Sequence, residues 1–164
     1  MDLKEFFVKQ KQAVHRGTID VFGKIPPGRL DWRPAEGMLS LGEIVRHTWM
    51  SEEGLLNAAL DGDWSYFEGR VPMGLLRFLA TRGPVESLAT EISQVEQMNQ
   101  ETLRRVAGFP LERWEEERNN EAFNIHRRVS VMLFGINEHQ IHHRAQVGTY
   151  LHILTGQRAS PYVL

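Results

Sequence analysis

Residues 137–146 read NEHQIHHRAQ and hold three of the chain's seven histidines within five positions. His139 and His143 are four residues apart. On an α-helix turning ~100° per residue they stand only about 40° apart around the axis, so both rings reach one point. Two neutral imidazoles aimed at one point present two lone pairs, which a divalent metal accepts together. The same spacing also suits hydrogen-bonded core histidines or a solvated polar face, and the register of the surrounding helix weighs these readings.

Val129, Met132, Ile136, His139, His143, Gln146, Tyr150 and Leu154 follow one another at steps of three or four. That is the inward register of a bundle helix, with two histidines standing where apolar residues belong. A buried polar group left without a partner costs ~1–3 kcal/mol, so these rings must have partners. A second helix over SLGEIVRHTWMSEEGLLNAAL runs Ile44, His47 or Thr48, Ser51 and Leu55 along its inward stripe, which makes His47 the candidate third ligand. Three histidines leave coordination positions open for chemistry, whereas structural zinc sites usually fill all four.

The chain has no cysteine. Disulfides, thiolate zinc sites and a cysteine nucleophile are excluded together, and any metal must be held by His and carboxylates. His142 lies beside the stripe and reads as a surface residue or one supporting the ligands. His15, His126 and His152 show no grouping. Glu43 reads as a helix-capping residue, Glu138 and Arg144 as helix-surface charges, and Gln146 as an inward group that orients a ligand or satisfies a buried water. No general base is visible, so no catalytic residue is assigned.

The elements that must position these groups are helical nearly throughout. Leu3, Phe6, Phe7, Val14 and Val21 give residues 2–24 a helical stripe that Pro26, Pro27 and Gly28 end. Ser40 followed by Glu43 fits a capping box opening the second helix, which should end near Gly62. Residues 63–83 read as a connection with a short helix at GLLRFLAT. Pro84 fits the first turn of a third helix, with Val85, Leu88, Ile92, Val95, Leu103 and Val106 as its stripe. LERWEEERNNEAF reads as a loop with room for a helical turn, and a fourth helix is expected from about Asn124 to Thr155. Four long amphipathic helices without strand alternation predict an all-α four-helix bundle, and the long connections predict at least one crossover.

The length of 164 residues suits one domain over 1–164. A net charge of −2, with 24% charged residues of mixed sign and no basic stripe, argues against nucleic acid as a partner. No apolar run is long enough to span a bilayer and the N-terminus lacks a secretory layout, so a cytoplasmic protein is expected. Neither a Gly-rich phosphate loop nor a G-x-S-x-G elbow is present.

NEHQIHHRAQVGTYLHILTG resembles the fourth-helix signature of the DinB family, H-x-x-x-H-R-G-Q followed by an aromatic-aliphatic stretch and Gly. DWRPAEGMLSLGEIVRHTWMSEEGLL is similar to that family's second-helix segment, with its W-R-P entry and central His. The likeness runs in order along nearly the whole chain. It implies a four-helix bundle of up-down-down-up topology and a divalent metal, most often zinc or nickel, with iron or manganese as further candidates. Matched position by position, the implied ligands are His47, His139 and His143, the trio also selected by the inward stripes. Ala145 departs from the usual Gly but keeps a small side chain.

The resemblance further implies a homodimer and a small-molecule substrate, possible co-substrates being low-molecular-weight thiols such as bacillithiol, mycothiol or glutathione. Two function classes follow. One is a metal-dependent enzyme activating a thiol for transfer or water for hydrolysis. The other is a non-catalytic, stress-related metal-binding or structural dimer.

Overall fold

A computed structural model describes residues 2–157. The single domain expected over 1–164 therefore extends past the described residues at both ends. Four long helices form the frame: α1 (Leu3–Phe22), α2 (Leu41–Asp61), α5 (Leu88–Gly108) and α6 (Val129–Thr155), with the short helices α3 (Ser65–Met73) and α4 (Leu75–Ala80) between α2 and α5. Ser40 and Glu43 form the expected capping box of α2, each side chain satisfying the other's backbone N–H. Gly62 ends that helix in the left-handed conformation, at φ 72°, which glycine reaches at little steric cost.

Side-chain contacts fix the helix directions. α1 and α6 run parallel, since Phe7 meets Phe134 at 5.6 Å between ring centroids and, further along both helices, Arg144 reaches the Val14 carbonyl. α2 and α5 also run parallel, with Arg46 bonded to Glu91 at their starts and Asn57 to Arg105 near their ends. Lys4, at the start of α1, donates to the Phe109 carbonyl just past α5, so those two oppose one another. α2 and α6 pack closely as well, with residues 47 and 52 of α2 against residues 139–143 of α6. The result is an up-down-down-up bundle in which the α3–α4 segment carries the chain back so that α5 can run parallel to α2.

The core divides into two apolar clusters. Phe7, Leu56, Val106, Trp114, Leu133 and Ile136 anchor one, and Val21, Ile44, Val95, Val147 and Leu151 the other. Between them along α6 lie Asn137, Gln140, His143 and Arg144, all buried. The polar stretch that first marks the sequence is thus a layer across the bundle interior.

Three expectations about the connections are corrected. The loop expected over 111–123 holds the helical turn allowed for it, a 3-10 turn (Leu111–Glu115), but also the first strand of an antiparallel hairpin, β1 (Glu117–Asn120) pairing with β2 (Ile125–Arg128). The fourth helix accordingly starts at Val129 and not near Asn124, which instead takes φ 49° at the hairpin reversal. The strands ERNN and IHRR carry no apolar alternation because only Ile125 among them packs against the core. They are tethered by Arg118 Nε, which donates to the Ala59 carbonyl at 2.9 Å. Likewise α5 begins at Leu88, capped by Ser87, and not at Pro84. It buries Glu91, Asn99 and Thr102 alongside Val95 and Val106.

Candidate metal centre

His47 enters from α2 and His139 and His143 from α6, and the three meet between those helices. His139 Nε2 lies 3.2 Å from His47 Nε2 and 3.1 Å from His143 Nε2. His47 and His143 are only 3% and 5% exposed, while His139 is half-buried. Burial is the main reason that the pKa of each falls below the usual 6.5, with further lowering by neighbouring histidines. The values are about 2 for His47, about 3 for His139 and about 4 for His143, where the Gln146 hydrogen bond pulls the other way. All three are neutral at neutral pH and each has a lone pair to give.

The outer nitrogens define where those lone pairs point. His143 Nδ1–H donates to Gln146 Oε1 at 2.9 Å, which leaves its Nε2 unprotonated and aimed at His139. Gln146 in turn donates to Tyr150 OH at 3.1 Å, and Tyr150 packs edge-on against Trp32 at 5.9 Å. His47 Nδ1 pairs with Ser51 Oγ at 2.9 Å, and Ser51 pairs with Tyr66 OH at 2.8 Å. Gly54 permits this last contact: a Cβ there would overlap the Tyr66 ring. Burial raises the Tyr66 phenol pKa, so it remains a neutral hydroxyl at neutral pH.

The trio fits a metal better than it fits itself. A proton on His139 Nε2 can be donated to one neighbour only, and the other neighbour's lone pair then sits at hydrogen-bond distance with no proton to accept. A cation removes that conflict. Imidazoles bound to one tetrahedral ion at ~2.0–2.1 Å stand roughly 3.3–3.4 Å apart, close to the two separations seen. Among the described residues, the group of metal-ligand side chains here is these three and no fourth.

The profile of the DinB superfamily matches residues 11–147. The chain belongs to the DinB superfamily. The DinB fold is equally evident in solved structures. A DinB-like protein from Bacillus subtilis is 20% identical, with a TM-score of 0.71 over 95% of each chain. A protein from Exiguobacterium sibiricum placed in the DinB family is 18% identical, with a TM-score of 0.70 over 99% of each chain. A comparison with curated proteins finds no match.

Other residues singled out in this DinB sequence fall apart from the trio. His142 is exposed and outside the group, its ring 4.8 Å from that of His143. His126 and His152 are exposed. His15 is half-buried with Nδ1 unpartnered and a pKa lowered to about 4, chiefly by burial. Arg144 is not the surface charge expected of it. It is buried, opposite Gly17 of α1, whose missing side chain makes room for the guanidinium.

One feature of the site escaped sequence reading. Lys11 and Glu52, 0% and 1% exposed, pair at 2.8 Å in the bundle interior. Thr102 donates to the same carboxylate at 2.6 Å and Gln140 at 2.7 Å. Each of the four long helices contributes one member. Glu52 follows Ser51 and Gln140 follows His139, so this network holds α2 and α6 in the register that brings the histidines together.

A cavity of about 350 Å³ ends at His139. Its walls are largely apolar, from Leu55, Trp64, Phe67, Val131 and Met132, with Arg127 and Glu138 also lining it. A cleft of about 440 Å³ on the outer side of Tyr66 reaches none of the histidines. No helix among the described residues is long and apolar enough to cross a membrane.

Proposed function

We propose that His47, His139 and His143 hold one divalent ion, zinc or nickel first among the candidates, and that the protein is a metal-dependent enzyme acting on a small molecule. The observation that carries this is the convergence of three neutral imidazoles, two with their outer nitrogens engaged by Ser51 and Gln146, beside an apolar cavity and with no fourth protein ligand among the described residues. When bound, such an ion lowers the pKa of a thiol or water at its open position and so supplies a nucleophile at neutral pH. The chain's own residues do the rest. Ser51 and Gln146 set the orientation of two imidazoles, as partners of metal-binding histidines commonly do. Tyr66 anchors Ser51, and Trp64 and Phe67 exclude water from the approach to His139. A low-molecular-weight thiol donor in a transferase-like reaction is the leading choice, with hydrolysis second, and the active form is a homodimer.

The test is a comparison of zinc- or nickel-loaded protein, metal-free protein and the His143→Ala variant. Each is assayed for thiol conjugation to an electrophilic aryl halide and for hydrolysis of an activated ester. Turnover confined to the loaded wild-type protein supports the reading. Stoichiometric metal with no metal-dependent turnover in either assay points instead to a metal that only stabilises the bundle.

A further inference from the structure

The β1–β2 hairpin forms part of the wall of the cavity that ends at His139: Asn124, at its reversal, and Ile125 and Arg127, on β2, all line it. The hairpin is held there by Phe123, whose ring stands 6.5 Å from that of Phe67, and by the bond from Arg118 to the Ala59 carbonyl. The apolar lining belongs to the packed core. Leu55, Phe67 and Ile125 lie against the cluster that includes Trp64 and Met132, and the rings of Trp64 and Phe67 are 5.7 Å apart.

Besides His139, the polar side chains on this wall are Asn124, Arg127 and Glu138, all exposed. Among the described residues, Arg127 has one hydrogen bond, to the carbonyl of its neighbour His126 at 3.0 Å, and no carboxylate partner. The Asn124 and Glu138 side chains make no hydrogen bond or ion pair there, so Arg127 and Glu138 do not pair with each other. The other arginines of the two strands differ: Arg118 pairs with Glu116 and Arg128 with Glu115. One mostly apolar cavity thus keeps a cation and an anion that no protein group answers. In such a cavity a few polar groups fix the orientation of a ligand. A purely anionic ligand on Arg127 meets the repulsion of Glu138, and a purely cationic one on Glu138 meets that of Arg127. A ligand carrying both charges satisfies both side chains, and the planar guanidinium suits a carboxylate in particular.

The geometry points to a zwitterion as the substrate class, an α-amino acid with an apolar side chain, and to Arg127 and Glu138 as the residues that select it. Arg127 takes the carboxylate, Glu138 takes the ammonium, and the side chain lies among Leu55, Trp64, Phe67 and Met132. Glu138 directly precedes His139, so the charged end of the ligand lies beside the trio. This inference rests on the proposed function for the meaning of "substrate", but the binding it describes belongs to the cavity and does not require the ion.

The experiment compares L-phenylalanine with 3-phenylpropionate, which lacks the ammonium, and 2-phenylethylamine, which lacks the carboxylate. Calorimetry and tryptophan fluorescence follow binding to wild-type, Arg127→Gln, Glu138→Gln and Arg128→Gln proteins. All are zinc-free, because an amino acid also chelates zinc directly, and zinc uptake is measured separately. Wild-type protein should bind L-phenylalanine at least about fivefold more tightly than either analogue, the scale of one partly screened ion pair. Arg127→Gln should bring L-phenylalanine to within about twofold of 2-phenylethylamine while keeping its advantage over 3-phenylpropionate. Glu138→Gln should do the converse, and Arg128→Gln, outside the cavity, should behave as wild type. Matching thermal melts show that the variants are folded. A smaller wild-type preference, including no binding of any of the three, overturns the inference. So does a preference that survives both cavity variants or is lost with Arg128→Gln. Zinc uptake by a protein without the preference sinks this inference alone. The crossed pattern in a protein that takes up no zinc sinks the metal reading and leaves this one standing.

Discussion

The Lys11–Glu52 pair is the most exacting place to perturb the bundle without touching a histidine. Lys11→Met keeps the length and apolar stem of the side chain but removes the ammonium that sits 2.8 Å from Glu52. The carboxylate, 1% exposed, retains only the Thr102 hydroxyl and the Gln140 amide as donors. Breaking one side of a buried pair costs ~3–5 kcal/mol because the remaining charge is uncompensated. Folded domains commonly have only ~5–15 kcal/mol in total, so the variant should lie close to unfolding. Lys11→Met/Glu52→Met removes both charges. Thr102 and Gln140 then lose an acceptor, but the charge penalty is gone, and the double variant should recover at least about 2 kcal/mol over the single one. Urea denaturation followed by far-UV circular dichroism reads both. Lys24→Met, which breaks the half-exposed pair with Asp20, serves as the control and should change little. A Lys11→Met cost below about 1 kcal/mol, or a double variant less stable than the single, would refute the claim that the buried charge drives the effect.

Two further predictions concern the site. Ser51→Ala and Gln146→Leu should each weaken zinc affinity by about 10–100-fold while leaving the fold intact, as loss of an orienting partner does; competition with a chromogenic chelator measures this, and unchanged affinity in both contradicts the orienting role. In metal-free protein the trio is held neutral, with pKa values of about 2, 3 and 4 against the usual 6.5 of the unfolded chain. The unfolded state therefore binds more protons in that window, so stability is full above about pH 6.5 and is lost as pH falls, by up to ~1.4 kcal/mol per histidine per pH unit. Urea midpoints of chelator-treated protein at pH 7.5, 6.0 and 5.0 should decline in that order, and a flat profile contradicts the burial of three neutral rings.

The trio was legible because register carries meaning on a helix. His139 and His143 replace apolar residues at the positions of a bundle stripe, and His47 does so on α2. Ser51 was in the same register, yet nothing in the chain says that its hydroxyl would meet His47 Nδ1. Tyr66 sits in a connection whose spacing has no periodic relation to α2 or α6, so only the folded chain brings it to the site. Gly54 in mid-helix was the one available hint, since such a glycine often marks a close approach. Lys11 falls between Phe7 and Val14 on the α1 stripe, a charge in an apolar register, but its partner Glu52 is adjacent to Glu53 and sequence does not choose between them. The hairpin was hidden because its pairing is backbone-driven and Ile125 is its one apolar side chain, too few to show an alternating pattern.

The most direct test of the account is elemental analysis of purified, tag-free protein after repletion with zinc, nickel and manganese, beside the His47→Ala, His139→Ala, His143→Ala and His142→Ala variants. The account predicts about one ion per chain in wild type and in His142→Ala, and its loss from each of the other three. Stoichiometric metal in all three trio variants, or none in wild type after repletion, would contradict it.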